Sequence, residues 1–297
     1  MLLGHVYCSR QEKGMTELET GTLFIRSKVL EETDDHISRL SIRCNLNGEQ
    51  HYRVGRNEYL INPKNYLIIN QGQHYRTSFY GEEEQEMILV AFKPGFAEQL
   101  LYSRVTPQHI LLDDPFKSPG QALELFEKTY PQDAVIQNLF DRLRKLIDLD
   151  NGIKMEIDLE DIYSALMLRM LEVHRNLQGE INKLGSIKLS TRQELFKRLS
   201  IAKDYMAAHP DRNIKLDEVA KVACLSVHHF KREFKELYGV SPHRFLLNKR
   251  IEKAEEMLSR TALQVEEISL ATGFTNTSSF IRSFKAQKGK TPGTYRK

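Results

Sequence analysis

The chain has 297 residues, 43 Lys+Arg against 40 Asp+Glu for a net charge of +3, 40% hydrophobic and 28% charged residues. These are ordinary globular values at a length suited to about two domains of roughly 100–200 residues, which tells against a disordered, collagenous or solenoid chain. The longest apolar runs, such as Tyr66-Leu67-Ile68-Ile69, fall far short of the ~20 residues that cross a bilayer, and Met1 to His5 carry no signal-peptide pattern, so no membrane partner and a cytoplasmic location are expected.

Taken in chain order, the first ~110 residues predict short strands: Thr22 to Leu30, Ser38 to Cys44, Tyr59 to Ile61, Tyr66 to Asn70, His74 to Phe79 and Glu86 to Phe92. Turn clusters such as Asn45-Leu46-Asn47-Gly48 and Asn62-Pro63-Lys64-Asn65 separate them, which points to an all-β sandwich or barrel. The period then changes. Val135, Ile136, Leu139, Phe140, Leu143, Leu146 and Ile147 mark one amphipathic helix, and Leu159, Ile162, Tyr163, Leu166, Met170 and Val173 a second, with Asp150-Asn151-Gly152 as the turn. Residues 176–195, with Gly179 and Gly185, are expected to be a linker, and everything beyond is expected to be helical.

Charge divides along the same line. Residues 196–297 hold 20 Lys+Arg against 11 Asp+Glu, a net +9, whereas residues 1–195 hold 23 against 29, a net −6. A basic C-terminal third suggests a polyanionic partner for that third alone.

That third repeats itself. Leu216, Glu218 and Val219 precede Phe230-x-Arg232-x-Phe234-Lys235 and Gly239-x-Ser241-Pro242; Val265, Glu267 and Ile268 precede Phe280-x-Arg282-x-Phe284-Lys285 and Gly289-x-Thr291-Pro292. The offset is 49 residues before an internal turn and 50 after it, as expected for two copies of one supersecondary unit. Each copy predicts a helix–turn–helix: a short helix from Leu216, a turn at Cys224-Leu225, and a second helix capped by Ser226 and ended by Gly239; then a short helix from Val265, a turn at Gly273-Phe274, and a second helix capped by Asn276 or Thr277. On the second helices Val227, Phe230, Phe234 and Leu237, and then Phe280 and Phe284, form the buried stripes. His228, Lys231, Arg232 and Lys235, and then Thr277, Ser278, Arg282 and Lys285, face outward as candidate contacts to double-stranded DNA. Pro242 to Leu258 predicts a connecting helix of roughly 25 Å at ~1.5 Å per residue, long enough with its turns to set the two second helices about one DNA turn apart.

On these residues, with Gly273-Phe274 and the terminal Thr291-Pro292-x-x-Tyr295-Arg296, the segment 196–297 resembles the DNA-binding domain of the AraC/XylS family of transcription regulators. The resemblance implies a multidomain α+β chain: a cupin-like β-barrel for effector binding and dimerisation (1–110), a helical dimerisation segment (111–175), a linker (176–195) and a DNA-binding domain with two helix–turn–helix units (196–297). It implies a regulator rather than an enzyme, an activator with RNA polymerase as a partner, a homodimer, a small-molecule effector and no cofactor.

Two readings of the N-terminal domain follow. A metal-dependent cupin enzyme, the alternative from another class, needs a His-x-His pair. Here His51 is followed by Arg53, which leaves only His51, Glu58 and His74, so no metal site is assigned. The three scattered cysteines, Cys8, Cys44 and Cys224, likewise make no thiolate site and no disulfide framework. An effector pocket lined by Tyr52, Arg53, Tyr59, His74 and Arg76, with Tyr75, would suit a sugar or a carboxylate, although strand alternation lets at most half of these point inward.

Overall fold

A computed structural model of the chain describes residues 12–17, 23–29, 33–79, 85–105, 123–149, 152–185 and 188–296. Cys8, the Tyr80-Gly81 turn, Asp150 and Asn151 lie outside them. The chain divides into two compact units, Met1–Gln178 and Gly179–Lys297.

The first unit is built from β1 (Glu12–Glu17), β2 (Leu23–Val29), β3 (Thr33–Ile37), β4 (Ser41–Asn45), β5 (Gln50–Val54), β6 (Asn57–Ile61), β7 (Asn65–Ile69), β8 (His74–Phe79), β9 (Gln85–Ala91), α1 (Phe96–Val105), β10 (Thr129–Pro131), α2 (Ala134–Leu149) and most of α3 (Gly152–Ile181). The strands pair antiparallel in two sheets, β1-β2-β9-β4-β7-β10 and β3-β8-β5-β6. Among the described residues both sheets are open and face each other, the sandwich form of the two that the turn spacing left open and not the closed barrel that the resemblance implied. Among the described strands no ladder joins the two sheets, and side chains pack between them. Tyr52, Val54, Tyr59 and Ile61 of the smaller sheet bury against Leu67 and Ile69 of the larger.

Strand β4 shows why the larger sheet is central. All five of its residues are buried, paired to Ile69 through Tyr66 on one side and Ala91 through Met87 on the other. Successive side chains alternate faces. Arg43 reaches the tyrosine rings of the smaller sheet, whereas Cys44 turns away and its Sγ accepts from Gln132 Nε2 at 2.8 Å. Burial pushes the Cys44 thiol up to about 12, so it stays a neutral thiol.

The segment 111–175 is not helical throughout, because Thr129–Pro131 adds strand β10 to the edge of the larger sheet beside β7. Three residues are too few to show a period, and their pairing partner lies some sixty residues away in the chain. In α2 and α3 the expected stripes are buried at Ile136, Leu139, Phe140, Leu143, Leu159, Ile162, Tyr163, Leu166 and Met170; Val135 is exposed, and the side chains of Leu146 and Ile147 lie outside the described ones. Helix α2 begins on Asp133, whose Oδ1 accepts from the Val135 and Ile136 amides at 2.9 Å while Oδ2 accepts from Arg169 Nη2 at 2.8 Å. Burial works against this charge, but the Ile136 amide, Arg169 and the Val135 amide outweigh it and hold the carboxyl below the usual aspartate range.

Asp133→Ala is therefore expected to destabilise the N-terminal unit by about 1–2 kcal/mol at neutral pH. A depressed folded-state pKa adds stability above the unfolded value, near pH 4, and loses it as pH falls through the folded value. Urea titrations should accordingly show a gap between wild type and variant at pH 7 that closes on acidification. A gap that persists unchanged in acid would contradict the charge-based account.

The expected linker, 176–195, is corrected as well. α3 continues to Ile181 and α4 (Leu189–Ala208) starts within it, with Ile181, Leu184 and Leu195 buried. Outside the short non-helical stretch 182–185 and Lys188, its described residues are helical, and Gly179, with nothing near a built Cβ, merely lowers local helix propensity. The second unit continues with α5 (Leu216–Val222), α6 (Val227–Tyr238), α7 (Pro242–Arg260), α8 (Val265–Ala271), α9 (Thr277–Lys288) and α10 (Pro292–Tyr295).

Candidate nucleic-acid interface

Helices α5 and α6 make one helix–turn–helix and α8 and α9 the other, each cut out by local signals. Ser226 Oγ accepts from the His229 amide at 3.3 Å to start α6, and Asn276 Oδ1 accepts from the Ser279 amide at 2.8 Å to start α9. Gly239 and Gly289 close the two helices in left-handed conformation, and Pro242 opens α7 behind Ser241. The one-residue slip in the repeat falls in the turns, which span 223–226 in the first copy and 272–276 in the second.

Both turns have the same hydrogen bonds. Leu225 N donates to Ala220 O at 2.9 Å and Phe274 N to Ser269 O at 3.1 Å, the six-to-one bond that ends a helix on a left-handed residue. That residue is Cys224 (φ 51°) in the first copy and Gly273 (φ 78°) in the second.

The aromatic cores repeat too. Phe230 and Phe234 are fully buried, and Phe234 meets Phe245 edge-on at 5.7 Å. In the second copy Phe280 and Phe284 are fully buried, and Phe284 meets Tyr295 edge-on at 5.3 Å. Tyr295 also donates its hydroxyl to Glu255, which pairs with Lys288, so the terminal Tyr295 locks α9 onto α7. Helix α7 has 19 residues, roughly 28 Å at ~1.5 Å per residue, slightly longer than expected.

With the Phe stripes buried, the opposite faces of α6 and α9 are left to solvent. His228, Lys231, Arg232 and Lys235 are exposed on α6; Ser278, Arg282 and Lys285 are exposed on α9, and Thr277 is half-buried at its first turn. The side chains of His228, Lys231, Lys235, Ser278, Arg282 and Lys285 make no hydrogen bond or ion pair among the described residues. Arg232 differs. Its Nε and Nη2 both donate to Oε1 of Glu233, at 2.9 and 2.7 Å, and His229 Nε2 stands 3.3 Å from the same oxygen. The Glu233 side chain is only 8% exposed, so Arg232 is drawn toward a buried carboxylate of its own helix. Spacing alone gave no sign of this, because neighbours at i and i+1 do not share a helix face.

The candidate effector residues do not form one lining. Tyr52 and Tyr59 are buried between the sheets; Tyr52 donates to Gln50 Oε1 at 2.8 Å, and Tyr59 reaches the Glu127 carbonyl at 3.4 Å. Arg53, His74 and Arg76 point outward. Arg53 pairs with Glu58 at 2.8 Å, and His74 and Arg76 pair with Asp35 at 2.9 and 3.7 Å. Adjacent residues on β5 and β8 necessarily take opposite faces, so the expected five-residue pocket is corrected to an inner pair and an outer trio. His51, Glu58 and His74 do not converge, and no group of three or more metal-ligating side chains occurs among the described residues.

The inward position overlooked in the sequence is Arg43, 2% exposed. Its only advance signal was a cation inside the apolar run Ser41-Ile42-Arg43-Cys44.

Residues 219–297 match the family model described as a helix-turn-helix domain. The chain is 33% identical over 101 residues to the HTH-type transcriptional regulator MtrA of Neisseria gonorrhoeae, covering 34% of each protein. It is 24% identical over 257 residues to the uncharacterized HTH-type transcriptional regulator YdeC of Bacillus subtilis, covering 85% of this chain and 81% of YdeC. It is also similar to the solved C-terminal domain of AraT, a response regulator from Geobacillus stearothermophilus, with 30% identity, TM-score 0.33, and coverage of 33% of this chain and 83% of that one. Against MtrA and several other curated relatives the chain spans only about a third of their length or less. The matched segment contains the second helices of both repeats, the Gly273 turn and the closing Tyr295, so what the chain shares with these HTH-type transcriptional regulators is the helix–turn–helix domain of its C-terminal unit.

Proposed function

We propose that the chain is a sequence-specific regulator that reads double-stranded DNA with α6 and α9 in successive major grooves. The observation that carries this is the repeated pairing of a buried Phe stripe with an exposed, basic face at matched positions on two helices, on which only Arg232 among the candidate contacts has a partner among the described residues. Lys231, Lys235 and Lys285 suit phosphates, and His228, Thr277, Ser278 and Arg282 suit base edges. Arg232 reads a base only by leaving Glu233, or else contributes to the groove while still held by it. The N-terminal sandwich is read as a cupin-like effector and dimerisation unit, supported by its two facing antiparallel sheets and the buried polar groups between them. A homodimer, RNA polymerase as the partner at promoters, and the cytoplasm as the site of action complete the reading.

Arg282→Ala tests it. The exposed guanidinium has no partner to lose among the described residues, so folding should be unchanged while operator binding weakens by ~1–3 kcal/mol and preference relaxes at one or two base pairs. Binding to a library of operator variants measures both. A uniform loss across all sequences would demote Arg282 to a phosphate contact, and no loss would remove α9 from the groove.

A further inference from the structure

The interior of the N-terminal sandwich holds a cation that no described residue neutralises. Arg43 lies on β4 of the larger sheet, 2% exposed, and projects between the sheets. Its Nη2 donates to Ser38 Oγ at 3.2 Å and its Nε to Ser41 Oγ at 3.4 Å; Ser38 and Ser41 are themselves buried and 3.0 Å apart. The guanidinium carbon sits 3.7 Å from the centroid of the Tyr75 ring and 5.3 Å from that of Tyr52. Among the described residues no carboxylate lies within ion-pair distance of it.

Buried arginines are nearly always paired with an anion, because desolvating a charge is recovered only through a close counter-charge and full hydrogen bonding. Two serine hydroxyls and two aromatic faces hold the guanidinium in place but supply no negative charge. The contrast within the unit is Arg169, more exposed than Arg43, which engages both Asp133 and Glu172. A guanidinium has five N–H donors in a planar fork; the serines take two of them, and the Tyr52 hydroxyl is a further hydrogen-bond partner. What remains matches the two oxygens of a carboxylate. The surroundings are otherwise hydrophobic or aromatic, with Tyr52, Tyr75 and Leu67 in the same cluster, which favours a ligand with one charge and an apolar body.

We infer that Arg43, with Ser38 and Ser41, forms the recognition point for a small monocarboxylate bound between the two sheets. In naming that ligand the effector, the inference rests on the effector reading above. The carboxylate would accept from the Arg43 fork, with its body against the Tyr52 and Tyr75 rings. The outer trio Arg53, His74 and Arg76 takes no part.

The test titrates the full-length protein, at constant ionic strength, with sodium hexanoate and sodium benzoate, their neutral amides, and inorganic phosphate, reading thermal shift and calorimetric binding. At least one carboxylate should bind about tenfold or more tightly than its amide and than phosphate. Arg43→Met should abolish that preference, and Arg43→Lys should keep the charge but lose most of the affinity, since an ammonium lacks the fork. Should Arg43→Met fail to fold, the double variant Ser38→Ala/Ser41→Ala, which leaves the cation but frees it from its supports, should weaken carboxylate binding several-fold. Amides that bind as well as the acids, phosphate that competes equally, or carboxylate affinity unchanged in both the lysine variant and the double variant would each overturn the site. Operator affinity measured with and without the bound carboxylate separates the two claims: Arg43-dependent binding that leaves DNA affinity unchanged upholds the site and overturns its role as effector site.

Discussion

Gly273→Ala is expected to cost the C-terminal unit about 2–4 kcal/mol and to lower its melting temperature by of order 10 °C or more. Two effects add. At φ 78° an L-residue pays roughly 1 kcal/mol or more for the left-handed region. A methyl group there would also stand 2.7 Å from the carbonyl oxygens of both Pro210 and Asp211, well inside contact distance. Those carbonyls belong to the loop before α5, and they cannot easily retreat. Arg250 Nε donates to Pro210 O at 2.9 Å and Nη2 to Arg212 O at 2.9 Å, pinning the loop from α7. The turn of the second helix–turn–helix thus rests directly on the entry to the first. Displacing it would also move Phe274, which packs on Phe280 at 5.2 Å, and with it the start of α9.

The repeat supplies an internal control. Cys224 holds the corresponding place in the first turn at φ 51° and is exposed. Cys224→Gly should therefore stabilise the unit by about 0.5–1 kcal/mol, having only the conformational penalty to relieve. Chemical denaturation of both variants reads the difference. A Gly273→Ala protein within about 0.5 kcal/mol of wild type would show that the 210–212 loop yields, and that the two halves are not held in register there.

A fragment beginning at Gly179 should fold alone and bind duplex DNA, with affinity falling by about 10³ between 50 and 200 mM salt. The unit has its own core and carries 23 Lys+Arg against 13 Asp+Glu, a net +10, while the remaining residues carry a net −7. Counterion release depends on the phosphates neutralised, so the full chain should show the same salt slope within about one unit, since the acidic unit adds no phosphate contacts. Lys231→Ala, Lys235→Ala and Lys285→Ala should each flatten the slope by about 0.9 without changing sequence preference. A folded fragment that does not bind duplex at low salt would remove the DNA-reading proposal from this unit alone.

The DNA-reading half was legible from the amino-acid order because its signals act within a few residues. Ser226, Asn276, Gly239, Gly289 and Pro242 each bond or block within one helical turn, and the Phe spacing of three and four defines a face wherever the helix lies. Boundaries of α6 and α9 consequently agree with expectation to the residue. The turn slip, the buried stripes and the exposed basic face follow from the same short-range rules.

Longer reach was needed elsewhere. Strand alternation separates Tyr52 from Arg53 and Tyr75 from His74 and Arg76, but only the second sheet decides which parity is inside. Strand β10 has no meaning until β7 lies beside it. The helical continuity of 176–181 and the burial of Leu184 and Leu195 depend on neighbours that a Gly-containing polar stretch does not announce.

By itself, then, the order of residues determined two helix–turn–helix units, their caps, their basic faces and the opposite charges of the two halves. Tertiary structure alone decided that the 210–211 carbonyls leave no room for a side chain at Gly273, that Arg232 is held by a buried Glu233, and that Arg43 lies buried beside two tyrosine rings with no counter-charge among the described residues. The first set depends on contacts within one helical turn. The second depends on groups brought together from distant segments, or buried by them, and no local period encodes that.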